Sequence, residues 1–206
     1  TIPLNLALMV HPELYYAEVN VNGETWIIAK DRVQHMLNTA GYEEYTISKE
    51  YQGKELEGQY YDHPLNIKSF LPQDLQKNPC LFSVLLSADY VDALSGTGLV
   101  HCAPGCGPED YEVGHQYHIP PFNCVNEEGL FTHFGPFTGW RAKLDDKKFI
   151  DAIEQSGSLL AKEPYSHEYP HGERSHQPVI FRTTKQWFFK VEDLKEKMLA
   201  SNEKVY

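Results

Sequence analysis

The apolar residues of this chain occur in short runs that glycine, proline and asparagine interrupt, and this pattern limits the fold more than any other feature. Residues 17–21 alternate apolar and polar side chains, as a half-buried strand does. They meet residues 26–28 across Asn22 and Gly23, a pair favoured in tight hairpin turns. We therefore predict one unit with a mixed α/β fold, in which a β-barrel-like core of short strands carries peripheral helices.

The remaining elements are placed by the same periodicities. Residues 62–80 have no apolar period and are predicted to be a surface excursion. Pro108 can occupy the first position of a helix that runs to about His118. The other predictions are strands within residues 4–10, 45–51, 81–86, 96–101, 179–181 and 187–191, helices over 33–40 and 145–157, and a final amphipathic stretch with Leu194, Met198 and Leu199.

The net charge of −11 belongs to the first two-thirds of the chain. Residues 1–140 hold 6 Lys and Arg against 18 Asp and Glu, whereas residues 141–206 hold 12 against 11. A protein that grips a nucleic-acid duplex needs a basic stripe, and this sequence has none. Any nucleic-acid contact is therefore expected to be local.

The sequence also predicts the cellular compartment. No apolar run approaches the roughly 18 residues that cross a bilayer, and the first residues lack the layout of a signal peptide. We expect a cytoplasmic protein, with the mitochondrial matrix as the alternative. The cysteines are too few and too unevenly spaced for a disulfide scaffold, so reduced thiols are expected at Cys80, Cys102, Cys106 and Cys124.

The loop at residues 101–107, His-Cys-Ala-Pro-Gly-Cys-Gly, concentrates side chains that could carry chemistry. A zinc site there would need Cys124 and His115 as an ill-spaced second pair, so buried thiols beside a tight turn are the favoured interpretation. His101 ends a predicted strand and Asp110 opens the next helix, so a tight loop would bring both to one pocket mouth. The carboxylate could fix an ammonium group, although an acid in a first helical turn often serves only the helix dipole.

Other patterns carry less information. The glycines at residues 96–98 and 105–107 lack the Lys-Ser/Thr of a phosphate-binding loop, and no Gly-x-Ser-x-Gly motif is present. Aromatic and basic residues are interleaved over residues 169–188. Such a segment can clamp single-stranded nucleotides, or it can be an aromatic core with a basic rim.

Several of these segments together resemble the editing domain, called connective peptide 1, of isoleucyl-tRNA synthetases, over essentially the whole chain. Thr-Ile-Pro-Leu-Asn-Leu-Ala-Leu-Met-Val-His-Pro-Glu-Leu at residues 1–14 is similar to the stretch after the family's threonine-rich motif. Gly-Thr-Gly-Leu-Val-His-Cys-Ala-Pro-Gly at residues 96–105, with Asp110 and Tyr111, is similar to its second pocket motif. Residues 169–171 and 178–188 resemble the segment that returns to the synthetase core. Val-His before Ala-Pro favours the isoleucyl family over the valyl and leucyl families.

The resemblance implies an aminoacyl-tRNA deacylase that hydrolyses mischarged valyl-tRNA(Ile). A pocket made for isoleucine cannot strongly reject valine, because a missing methylene is worth only about 1–3 kcal/mol, so a second sieve is needed. Asp110 and His101 would be the catalytic residues: Asp110 would hold the α-amino group and His101 would help to define the side-chain pocket. Thr1, His101 and Asp110 would bind the substrate. Cys106 departs from the family, since many relatives carry histidine there.

The resemblance also implies partners and a larger enzyme. The partners would be the tRNA(Ile) 3′ end with its misattached amino acid and the catalytic core of the same synthetase, without a membrane. No metal or cofactor is implied for this domain, whereas the parent enzyme uses ATP and magnesium. Residues 1–206 would form a single editing domain, with residues 186–206 as the return segment. Three alternatives stay open: a valyl- or leucyl-type editing domain, a non-catalytic module for tRNA 3′ ends, and a metal-dependent hydrolase.

Overall fold

A computed structural model describes residues 1–94, 96–164, 166 and 168–205, and it contains two separate three-stranded sheets. In the first sheet, the central strand β1 (Ala7–Val10) pairs in parallel with β5 (Val84–Leu86) and antiparallel with β6 (Val100–Cys102). A 3₁₀ turn (Ile2–Leu4) precedes β1 and leads Thr1 to the end of β6. The first sheet therefore places the start of the chain beside His101.

The second sheet is antiparallel, with β2 (Tyr15–Val21) as its central strand. Strand β2 pairs with β3 (Glu24–Ala29) on one side and with β4 (Thr46–Gln52) on the other. Asn22 and Gly23 have φ angles of 50° and 87°, the left-handed pair that a tight hairpin turn requires. The predicted hairpin is confirmed.

Helix α1 (Val33–Ala40) covers one face of this second sheet. Val33 and Leu37 pack with buried residues of β2 and β3. The helix ends at Gly41, whose φ of 81° lets its N–H reach back to the last turn. The predicted helix over residues 33–40 is confirmed.

The other helices are α2 (Gln73–Gln76), α3 (Pro108–Gln116), α4 (Asp146–Gln155) and α5 (Lys195–Asn202). The fold is thus mixed α/β, as predicted. A closed barrel is not formed by the described residues, because the six strands divide into two open sheets that do not share a strand. None of the helices in the described part of the chain is long and apolar enough to cross a membrane.

The prediction of a surface excursion over residues 62–80 is wrong. Ile67, Leu71 and Leu75 are 0%, 4% and 2% exposed and belong to the main core with Leu6 and Met9 of the first sheet. They lie on a 3₁₀ turn (Ile67–Phe70), at its end, and on α2. Elements of four residues are too short to show a helical period, which is why the sequence pattern concealed this part of the core.

The C-terminal strand predictions are also wrong. The described residues form no strand at 179–181 or 187–191, and Trp187, Phe188 and Phe189 are exposed. Helix α5 follows, but Met198 and Leu199 on it are more than half exposed. An aromatic run resembles a strand in sequence, yet a strand also needs a neighbour with which to pair.

Candidate functional site

The site is built on the connection from β6 to α3, which the sequence predicts as a strand, loop and helix. Gly105 lies at the centre of this loop, where a Cβ atom would come within 2.0 Å of the Phe122 carbonyl oxygen. Only glycine therefore lets the loop pack this closely. Pro108 then opens α3 and places Asp110 in its first turn.

Asp110 is tied to the start of the loop that precedes it. The backbone N–H of Ala103 donates a hydrogen bond of 2.9 Å to Asp110 Oδ2. Burial raises the pKa of Asp110 above its ordinary value, and the hydrogen bond from Ala103 opposes this shift. The carboxylate is thus held in a fixed, partly desolvated position where a cationic ligand would be favoured.

His101 lies beside Thr1, although the two residues are 100 positions apart in sequence. Thr1 Oγ1 and His101 Nε2 are 2.8 Å apart and form a hydrogen bond. His101 Nδ1 is buried and has no hydrogen-bond partner among the described residues. Burial lowers the pKa of His101 to about 4, so the imidazole is neutral at pH 7.

A cleft of about 690 Å³ opens in front of Thr1 and Asp110, a volume typical of small-molecule sites. His101 is not among the residues that line it, but it contacts Thr1, which is. The cleft has an apolar wall that includes Phe131 and Phe149. Its lining residues are Thr1, Pro3, Leu4, Cys106, Gly107, Pro108, Glu109, Asp110, Asn123, Val125, Phe131, Ala142, Lys143, Asp146, Phe149, Tyr169, Ile180 and Phe181.

The three predicted site residues, Thr1, His101 and Asp110, lie in one region, but only two of them line the cleft. Thr1 and Asp110 share the cleft, while His101 contacts Thr1. Sequence reasoning missed Lys143 and Asp146, which reach the cleft from the start of α4. No local motif marks them, because only the packing of α4 against the core brings this turn to the cleft.

The aromatic segment at residues 169–188 contributes to the wall and the rim of the cleft. Tyr169, Ile180 and Phe181 line the cleft. Arg182 donates a hydrogen bond to the Val125 carbonyl and pairs with Glu127 at 3.3 Å. The first part of the segment therefore closes one side of the cleft, with its arginine at the rim.

The four cysteines are free thiols. Burial raises the pKa of Cys106, which lines the cleft, to about 11, and that of Cys124 to about 12. Such thiols are protonated at neutral pH and are poor nucleophiles. Within the described ranges, no group of three or more His, Cys, Asp or Glu residues is arranged to hold a metal ion.

Isoleucine-tRNA ligases from several organisms are sequence relatives of this chain. The chain is 39% identical over 206 residues to the isoleucine-tRNA ligase of Methanothermobacter marburgensis. This match covers 100% of the chain and 19% of that relative. It is 38% identical over 207 residues to the isoleucine-tRNA ligase of Pyrococcus furiosus, and this match covers 98% of the chain and 19% of that relative. It is also 37% identical over 204 residues to the isoleucine-tRNA ligase of Staphylococcus saprophyticus, and this match covers 98% of the chain and 21% of that relative. The chain thus spans about one fifth of the length of these curated relatives.

A solved structure has the same fold. The crystal structure of GlLeuRS-CP1 matches with a TM-score of 0.57 and covers 80% of this chain and 81% of its own. The sequence identity in that match is 16%, so the likeness concerns the fold alone. No protein-family model matches the chain.

Proposed function

This chain belongs to the isoleucine-tRNA ligase family, as a segment of about one fifth of the length of its members, and on that premise we propose that it hydrolyses the ester of mischarged valyl-tRNA(Ile). The observation that carries the proposal is the fixed carboxylate of Asp110 on a partly apolar cleft beside Thr1. An aminoacyl ester presents an ammonium group next to an apolar side chain. The cleft offers a counterpart to each.

Asp110 binds the α-amino group in this proposal. Its position is set by the hydrogen bond from Ala103, so the carboxylate needs little rearrangement to meet the substrate. Burial makes the ionised carboxylate less stable without a counter-charge, and an ammonium group supplies one. Binding energy at this point therefore orients the ester in the cleft.

Thr1, held by its hydrogen bond to His101, forms part of the wall against which the amino-acid side chain packs. The neutral imidazole can accept a hydrogen bond from the Thr1 hydroxyl at Nε2, which leaves the lone pairs of Oγ1 directed elsewhere. Those lone pairs, together with the substrate ribose, position the attacking water. His101 thus acts through Thr1, as a positioning residue and not as the base that attacks the ester.

Selection between valine and isoleucine follows from volume. In this proposal, the hydrogen bond to His101 holds the Thr1 side chain where the additional methyl group of isoleucine would have to fit. The cleft would accept valine and exclude isoleucine. A pocket that selects by apolar contact has the opposite preference, because it binds the larger side chain more tightly. The tRNA 3′ end and the catalytic core of the same synthetase are the proposed partners, and the acidic first two-thirds of the chain fits a domain that receives only a single-stranded end.

The experiment compares deacylation of valyl-tRNA(Ile) by the full-length protein and by two variants. Asp110→Asn keeps an oxygen that accepts the Ala103 N–H but removes the charge, so deacylation is expected to lose about 2–5 kcal/mol of transition-state stabilisation. Glu109→Gln is the matched control, since Glu109 lines the same cleft without a fixed contact to the loop. Unchanged hydrolysis by Asp110→Asn would remove Asp110 from the site.

A further inference from the structure

We propose that Lys143 binds the phosphate on the 5′ side of the terminal adenosine, so that the cleft takes nucleotide esters in preference to nucleoside esters. The inference rests on the proposed function, because it assumes the aminoacyl ester of a terminal nucleotide as the substrate class. Lys143 lies on the loop that leads into α4, and it lines the cleft that Asp110 also lines. It therefore adds a second charged anchor to the same site.

The charges along the cleft make such an anchor necessary. Glu109, Asp110 and Asp146 contribute three carboxylates, and Lys143 is the only basic residue among the described residues that line it. Unopposed carboxylates would repel a phosphate. An anionic substrate can therefore enter only where a cation offsets this field, and Lys143 is the cation at hand.

The Lys143 ammonium group is positioned but not neutralised. Its Nζ lies 4.2 Å from the centre of the Tyr169 ring, which holds it over an aromatic face. No carboxylate of a described residue forms an ion pair with it, in contrast to Lys148, which pairs with Asp145 at 2.9 Å. The positive charge of Lys143 is thus available to a ligand in the cleft.

The cleft lining carries both signs of charge, and an aminoacyl nucleotide does too. Asp110, Asp146 and Lys143 all line the cleft together with Thr1, so charges of both signs face the same space. An aminoacyl nucleotide carries its ammonium on the 3′ side of the ribose and its phosphate on the 5′ side. With the ammonium at Asp110, the phosphate is left to the lysine.

The backbone at Lys143 allows a clean comparison of side chains. Its φ angle of 69° is left-handed, and lysine, arginine and alanine, which are not branched at Cβ, bear a similar strain there. Alanine and arginine therefore keep the same backbone cost while removing or retaining the charge. Lys147 is the matched control, because it is exposed on the first turn of α4 and does not line the cleft.

The test measures binding of two probes to the full chain by calorimetry: 3′-valylamino-3′-deoxyadenosine with and without a 5′-phosphate, whose amide link replaces the labile ester. The wild-type chain is expected to bind the phosphorylated probe about tenfold more tightly, as a charge-assisted hydrogen bond allows. Lys143→Ala should abolish this preference, whereas Lys143→Arg and Lys147→Ala should keep it. Raising the salt concentration should reduce the preference.

Three results would overturn the proposal: equal affinity of the wild-type chain for both probes, a preference retained by Lys143→Ala, or an equal loss of both probes in that variant. Hydrolysis of valyl-tRNA(Ile) is measured separately. Absent hydrolysis together with a phosphate preference that depends on Lys143 would contradict the proposed function while supporting the phosphate contact.

Discussion

At the residue scale, His101 shows how burial decides what a side chain can do. Its neutral imidazole is held against Thr1 and is not part of the cleft lining. The sequence placed His101 and Asp110 at one mouth through a short loop, and the structure keeps both in the same region. It could not show that Thr1, 100 positions away, would contact His101 and line the cleft, because only the pairing of β1 with β6 brings them together.

Removing the His101 ring tests this arrangement. In His101→Ala, Thr1 loses its hydrogen-bond partner and can retreat into the vacated space, so isoleucyl-tRNA(Ile) is expected to become a substrate while hydrolysis of valyl-tRNA(Ile) is partly kept. A general base would behave differently, because its loss slows both reactions by about 10²–10⁴-fold. Equal, large losses on both esters would show that His101 is catalytic and that the steric account is wrong.

A second buried histidine contributes, together with His101, to the loss of stability at low pH. His63 is 5% exposed, its Nδ1 accepts the Leu65 N–H, and burial lowers its pKa to about 4. The folded state therefore binds fewer protons than the unfolded state between pH 6.5 and 4, and the free energy of unfolding falls as pH falls through this window, by about 3 kcal/mol. In chemical denaturation at pH 7 and pH 4.5, His63→Gln should show a smaller pH-dependent loss than wild type. An identical loss in both proteins would contradict this assignment.

At the element scale, the unit from β6 to α3 was the most predictable part of the site. Glycine and proline punctuate it locally, and the observed β6, loop and α3 follow that pattern. Elements without such glycine and proline boundaries were not predicted. The core residues Ile67 and Leu75 lie on a 3₁₀ turn and a helix of four residues each, which are too short to show a hydrophobic period. The predicted strand at 187–191 failed for the opposite reason, since its composition is strand-like but no strand of the described chain pairs with it.

Gly105 provides a test of the loop. In Gly105→Ala the new Cβ would meet the Phe122 carbonyl at 2.0 Å, so the loop or its neighbour must move. We expect a loss of about 1–3 kcal/mol in the free energy of unfolding and weaker deacylation, because Ala103 and Asp110 are displaced together. Gly107→Ala is the control, since its Cβ meets only Glu109 Oε2 at 3.8 Å. Similar stability of the two variants, measured by urea denaturation, would contradict the close packing.

At the scale of the whole molecule, the two sheets have different roles in positioning the site. The first sheet and its large core carry the site, while the second sheet and α1 form a smaller cluster beside them. Hydrophobic patterning predicted the number and type of most elements, but closure of strands into a barrel depends on long-range pairing that no local pattern encodes. The barrel-like part of the prediction therefore went beyond what the sequence supports.

The whole chain is expected to work without zinc. Burial raises the pKa values of Cys102, Cys106 and Cys124, and no group of described residues is arranged to hold a metal ion. Elemental analysis of the purified protein should find no stoichiometric zinc, and Cys102→Ser with Cys106→Ser should fold. One tightly held zinc ion per chain, or unfolding by a chelator, would establish a metal site instead.

The central claim is that the cleft hydrolyses the valyl ester and excludes the isoleucyl ester. The most direct test measures the rates at which the full-length protein deacylates valyl-tRNA(Ile) and isoleucyl-tRNA(Ile) under the same conditions. If the cleft is a second sieve, the valyl ester is hydrolysed faster by about tenfold or more, as the exclusion of one methyl group allows, and a chelator leaves the ratio unchanged. Hydrolysis of neither ester, or of both at the same rate, would contradict the account.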